Sequence, residues 1–130
     1  MTDPDGTPLA CDVTAANVAD GVMLLPLLDK FPRIRGRRGR PRKRPMLVTA
    51  DKAYHSAARV AELRRRGVCP LLPRRGEGER GLGKLRWPIE RTVSWIKQFR
   101  RLRTRHERRL DIHLSFLQLA CCVICWRRLK

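Results

Sequence analysis

Apolar and polar positions alternate between short runs and long amphipathic stretches along the chain. Met46-Leu47-Val48-Thr49-Ala50 is a compact apolar run of strand length, and it ends abruptly at Asp51. Ser56 stands where a helix N-cap is expected, so the pattern predicts a helix from Ala57 to Arg66, stopped by Gly67. Val68 to Leu72 reads as a second short strand, with Pro70 placing it near a sheet edge or a bulge. A long helix is predicted from Trp87-Pro88 to about Arg103, with Ile89, Val93 and Ile96 forming a stripe for packing. The last predicted helix, from about Asp111 to Arg128, is apolar over much of its surface and is expected to be a buried core helix. Its apolar run, Ile112 to Trp126, falls about four or five residues short of a membrane span and is broken by His113, Ser115 and Gln118.

The opening is harder to place. Asp3-Pro4-Asp5-Gly6 is a turn sequence, and the β-compatible residues Thr7 to Thr14 read as the second arm of a hairpin. Only Met1 and Thr2 precede that turn, so the chain is expected to begin mid-fold. Asn17 or Asp20 could cap a short helix reaching Leu28, limited by Pro26. Two stretches lack apolar periodicity and are predicted as basic loops: an Arg/Gly/Pro loop over 32–45 and a Gly/Arg loop over 73–85. The order of strands and helices defines an α/β chain, read as one domain over 1–130.

Charge changes the picture more than size does. The 130 residues carry 30 Lys and Arg against 12 Asp and Glu, a formal net charge of +18. Such an excess repels itself unless a polyanion neutralises it, and nucleic acid is the obvious one. Arg far outnumbers Lys, which suits bidentate phosphate contact. A ribosomal-type binder shares that balance, so charge alone does not select a chemistry. Five cysteines with no secretory signal read as reduced thiols of a cytoplasmic protein. Cys122-x-x-Cys125 lacks the second ligand pair that a zinc site needs.

Candidate chemistry begins with Asp51, at the C-terminal end of a buried strand, where α/β sheets usually place ligands. Glu90 lies on the first turns of the long predicted helix. At about 100° per residue, Arg86, Glu90, Lys97 and Arg101 fall within roughly 60° of one another. Hard carboxylate oxygens at Asp51 and Glu90 would suit divalent metal and phosphodiester cleavage, with Arg and Lys holding the phosphate backbone. The competing readings are a turn-capping role for Asp51 and a surface ion pair between Arg86 and Glu90. Arg38-Gly39-Arg40-Pro41 matches the short core of a minor-groove hook, and a general phosphate-contacting loop is its plainer reading. His55, His106 and His113 have no metal-ligand spacing.

At these residues a family resemblance emerges. Ala50-Asp51-Lys52-Ala53-Tyr54-His55-Ser56 resembles the second-Asp motif of DDE transposases of the bacterial insertion-sequence-four and -five groups. Arg86-Trp87-Pro88-Ile89-Glu90, continuing to Lys97, is similar to their glutamate motif, which sets an Arg four positions before the Glu and a Lys seven after it. Phe99 to Arg103, Asp111-Ile112-His113 and Cys125 to Arg128 extend the likeness towards the end of the chain. Thr14 to Asn17 and Leu24 to Asp29 extend it towards the start. Where that signature often has Tyr, this chain has Gly83.

The resemblance implies a ribonuclease-H-like, DDE integrase-type α/β fold, incomplete at the N-terminus because its first strands are missing. Asp51 would be the second and Glu90 the third carboxylate of the triad, both ligands of Mg²⁺ or Mn²⁺. Arg86 and Lys97 would contact the DNA end; apart from the resemblance, the helix face adds Arg101 and the basic loop adds Arg38 and Arg40 as expected DNA contacts. The first Asp is expected upstream, since Asp3, Asp5, Asp12 and Asp20 do not match its motif. The expected partners are insertion-sequence ends and target DNA, together with an upstream transposase segment or a full-length transposase. No membrane partner is expected, and the implied location is the bacterial cytoplasm, in association with the nucleoid. The implied activity is transposition by metal-dependent cleavage and strand transfer, with the isolated chain expected to be inactive. The alternative is a non-catalytic basic DNA-binding remnant or regulator.

Overall fold

The computed structural model describes residues 1–36, 38–74 and 83–129, with the side chains of 83–86 outside that description. The chain is a mixture of helices and short strands. It divides into two compact units: Met1–Ala16 with Lys84–Lys130, and Asn17–Gly83.

The unit Asn17–Gly83 is built around a strand–helix–strand. Strand β1 (Leu47–Thr49) and strand β2 (Cys69–Leu71) run parallel, with Leu47 opposite Cys69, Val48 opposite Pro70 and Thr49 opposite Leu71. The crossover between them carries a 3₁₀ turn (Lys52–Tyr54) and a helix (Ala57–Arg65). A parallel pair needs such a crossover because a tight turn can only reverse the chain. A 3₁₀ turn (Asp20–Met23) leads into helix α1 (Leu24–Asp29), so the crossover helix is α2. Neither Asn17 nor Asp20 caps the first of these: Ala19 holds the cap position without a side-chain bond.

Helix α2 is fixed at both ends by local chemistry. Ser56 Oγ accepts from Arg59 N at 3.2 Å, filling the N-cap role expected of it. At the other end Gly67 adopts φ +69, Gly67 N donates to Arg64 O at 2.8 Å, and Val68 N donates to Leu63 O at 2.9 Å. That bond pair closes the helix as a Schellman motif, which needs the left-handed residue that glycine supplies. Between the caps, Leu63 is wholly buried and Val68 follows the turn almost as deeply, joined in this unit by Leu24, Leu28 and Val48.

The other unit holds helix α3 (Gly83–Lys97) from Lys84 onward, the single turn α4 (Arg100–Arg103) and helix α5 (Leu110–Arg128). The predicted helix to Arg103 is thus interrupted. Gln98 N and Phe99 N bond three residues back, to Trp95 O and Ile96 O, and Phe99 then turns extended at φ −76, ψ 117. The tightened last turn ends α3 at Lys97, so Arg101 does not continue its helical register.

The Asp3–Gly6 turn closes on the two residues before it: Thr2 bridges Pro8, Leu9 N donates to Met1 O at 3.0 Å, and the Met1 ammonium donates to Ala10 O at 2.8 Å. Asp3 Oδ1 accepts from both Asp5 N and Thr7 N, so one carboxylate organises the whole turn. Helix α5 is not a buried core helix, since Ala120 and Ile124 are its buried residues while Leu119 and Trp126 are 61% and 65% exposed. By length and composition alone its 19 residues could also cross a bilayer.

Candidate functional site

Asp51 lies two residues past the end of β1 and opens the 3₁₀ turn, with extended backbone at φ −65, ψ 159. Its Oδ1 accepts from Lys52 N at 2.5 Å, and its carbonyl accepts from Tyr54 N at 2.9 Å. The capping role weighed against metal ligation is therefore present. A carboxylate offers about four acceptor positions, so a capping bond does not by itself preclude metal ligation. Tyr54 feels this acidic corner: burial first, then the charges of Asp20 and Asp51, push its phenol above the usual tyrosine range.

Glu90 stands on α3 with its side chain exposed, and it has no ion pair or hydrogen bond to another described residue. The side chain of Arg86 lies outside the described residues, so the alternative pairing of Arg86 with Glu90 does too. What the structure describes closely is how this helix is held. Gly6, at φ +78, brings the N-terminal turn so near that an added Cβ would sit 3.1 Å from both Pro88 O and Thr92 Oγ1. Thr92 is buried, and its hydroxyl donates to Gly6 O at 2.5 Å and Pro88 O at 2.9 Å as a shared proton. Arg91 donates from Nη2 to Asp5 O.

The same arginine lies between two indoles. Its guanidinium carbon is 4.1 Å from the Trp87 ring centre and 5.0 Å from that of Trp95, and Arg128 covers Trp95 at 5.5 Å. Cation–π stacking of this kind is worth about 0.5–2 kcal/mol per contact. The ladder of Trp87, Arg91 and Trp95 fixes the α3 face beside Glu90. Sequence reading passed over it, although Trp-x-x-x-Arg-x-x-x-Trp is a legible i, i+4, i+8 series.

The predicted DNA contacts separate into two kinds. Lys97 is exposed and lines a shallow groove of about 380 Å³ with Ser94, Gln98, Arg100 and Arg103. Arg100 and Arg103 were not singled out from sequence, because the register break after Lys97 is what brings them to that groove. Arg101 instead pairs with Glu107 at 2.5 Å and lies over the Phe116 ring at 5.4 Å. Arg38 and Arg40 are exposed in a loop closed by the bridge of Ile34 with Arg42. Asp51, Arg38 and Arg40 belong to the unit Asn17–Gly83, whereas Glu90, Lys97 and Arg101 belong to the other.

One unit thus carries a carboxylate just past β1, and the other carries a second carboxylate on the helix α3; both are hard oxygen donors in a chain of mixed helices and strands. Comparison with known proteins supplies the class. The chain belongs to the Transposase DDE domain family, which it matches over residues 1–125. It is 53% identical, over 131 aligned residues, to a Burkholderia cepacia protein assigned as transposase for insertion sequence element IS402. That alignment covers all of this chain and 62% of the relative, so the chain spans less than two thirds of the relative's length. No solved structure matches it. The family acts on DNA and depends on a divalent metal, generally Mg²⁺. Asp51 and Glu90 fit such an ion by donor type, since carboxylate oxygens are what Mg²⁺ prefers. Among the described residues, no three His, Cys, Asp or Glu side chains group together to hold one.

Proposed function

We propose that residues 1–130 form a partial catalytic domain of an insertion-sequence transposase, with a ribonuclease-H-like fold and Asp51 and Glu90 as the second and third triad carboxylates. The single observation that carries this reading is the family match across 1–125, in which Asp51 lies just past β1 and Glu90 stands on α3. The two carboxylates would hold Mg²⁺, with Mn²⁺ able to replace it. A divalent ion bound there supplies Lewis-acid polarisation of the scissile phosphate and of the attacking hydroxyl group.

The chain's own residues do the positioning. The cap at Asp51 and the Gly6–Thr92 and Arg91 contacts along α3 hold each carboxylate on a fixed backbone, which metal chemistry requires. Arg86, Lys97 and Arg101 are assigned to the DNA end, and Arg38 and Arg40 to flanking DNA. Within this assignment 32–45 is a basic loop of the same domain; of the stretch expected as a second basic loop, 73–85, residues 75–82 lie outside the described residues and α3 already begins at Gly83. Action at insertion-sequence ends and target DNA, assembly with an upstream segment or a full-length transposase, and work at the bacterial nucleoid complete the reading.

The test joins this chain to the part of the Burkholderia relative that it does not match, and measures nicking of insertion-sequence-end DNA with Mg²⁺ or Mn²⁺. Asp51→Asn and Glu90→Gln should each lower cleavage by about 1000-fold while leaving DNA binding in place. Undiminished cleavage by either variant removes that residue from the site.

A second reading, a non-catalytic occupant of element ends, draws on the net charge of +18, which suits DNA binding without specifying chemistry. Binding without cleavage in the joined polypeptide would favour it.

A further inference from the structure

Most arginines near β1 and α2 are engaged within the chain. Arg44 Nη1 donates to Arg66 O at 2.6 Å, and Arg59 Nη1 donates to Tyr54 O at 2.9 Å. Arg66 pairs with Asp29 at 2.5 Å and with Glu62 at 2.6 Å. Arg38 and Arg40 differ. Both are exposed, and neither has a hydrogen bond or ion pair to another described residue.

The segment that carries them is not an open tether. Ile34 N donates to Arg42 O at 3.0 Å and Arg42 N to Ile34 O at 2.8 Å, which pins the loop at its base. No β-ladder extends from that bridge among the described residues. Gly39 lies between the two arginines at φ +94, with no atom within 4 Å of where a Cβ would stand. Nothing in the described structure therefore requires a narrow backbone at this tip. Below it, Arg42, Lys43 and Arg44 line a shallow groove of about 430 Å³ with Pro45, Met46 and Gly67.

We propose that the segment Arg38-Gly39-Arg40-Pro41 is a minor-groove reader selective for A·T tracts, with Arg38 and Arg40 entering the groove on either side of Gly39. The inference rests on the reading of this chain as a DNA-acting protein and adds to it a groove and a base preference. A minor groove about 6 Å wide admits a single strand lacking a Cβ at its midpoint, where a helix or a two-stranded ribbon would be too thick. A·T tracts narrow that groove and deepen its negative potential, which draws in guanidinium groups. The closed base reduces the ordering cost of binding. Lys43 and Arg42 at the groove below are placed for the flanking phosphates.

The experiment uses the whole 130-residue chain and three duplexes of equal length, containing A·T, G·C or inosine·C tracts. Inosine·C lacks the guanine amino group in the minor groove yet keeps the major-groove pattern of G·C, so it separates the two grooves. At fixed physiological salt, fluorescence anisotropy should show about tenfold tighter binding to A·T and inosine·C than to G·C. The charge-keeping double variant R38K/R40K should abolish that preference, with an unchanged circular dichroism spectrum. Equal binding to all three duplexes, tighter binding to G·C, or a preference that survives in R38K/R40K overturns the proposal. Cleavage by the joined polypeptide is measured separately: intact cleavage with no base preference defeats this inference alone, and base preference without cleavage defeats the catalytic reading alone.

Discussion

Helices α2 and α5 show how differently two helices of one chain can be held. Helix α2 has nine residues, a serine at its N-cap, a Schellman glycine at its C-terminus and a wholly buried leucine between them. Helix α5 has 19 residues, no side-chain cap, two buried side chains and much of its apolar surface exposed. Length and hydrophobicity favour α5, yet α2 is the better determined. Caps act within one turn of the chain, and its two strands lie immediately on either side. Apolar surface stabilises only once something covers it.

Mutations can break or sharpen that contrast. Leu63→Ala should have the largest effect, costing about 3 kcal/mol in denaturant unfolding, because the site has no solvent exposure to collapse into. Gly67→Ala should cost about 1–2 kcal/mol, combining a left-handed φ with a Cβ placed 2.9 Å from Arg44 Nη2. Ser56→Ala should cost about 1 kcal/mol by orphaning a backbone donor at the α2 N-terminus, and Asp at the same position should restore most of it. Leu119→Ser on α5 should change unfolding by no more than about 0.5 kcal/mol while lowering aggregation, since the side chain is 61% exposed. A loss of stability there matching that of Leu63→Ala would show that α5 is covered in solution and would erase the contrast.

Acid should act on α2 in a defined window. Hydrogen bonds from Arg65 and then Arg66 hold the Glu62 carboxyl down to about 2, against an ordinary value of 4.5. Because the folded value is the lower one, the stability this carboxylate contributes is present above the ordinary value and fades as pH falls towards about 2. These arginines are at the surface, so the effect is small and shrinks with salt. Thermal unfolding followed from pH 5 to pH 2 should be flatter in Glu62→Gln than in the parent. Parallel curves would mean that the pairing contributes nothing.

Much of the second unit was legible before any coordinates. The apolar run before Asp51, the Ser56 cap and the Gly67 stop each depend on neighbours within a few residues, and β1, α2 and β2 appear where those signals placed them. Asp51 just past β1 and Glu90 on α3 were legible in the same way. Less legible was everything that relies on residues far apart in the chain. The break after Lys97 moved Arg101 out of its expected register and brought Arg100 and Arg103 to the Lys97 groove. The hold on α3 depends on Gly6, which sits 86 residues before Thr92.

By itself, the order of amino acids determined the basic charge, the two short strands and the capped helix between them. It also carried the resemblance to the transposase family whose model the chain matches. Only the tertiary structure decided which arginines are spent inside the chain and which face outward, because a guanidinium's partner can be a carbonyl far away in sequence. It also decided that the N-terminal turn closes on Met1 and Thr2 and braces α3. The reason is physical: caps and turns are settled by bonds to near neighbours, whereas exposure and pairing are settled by whichever distant surface folds against a side chain.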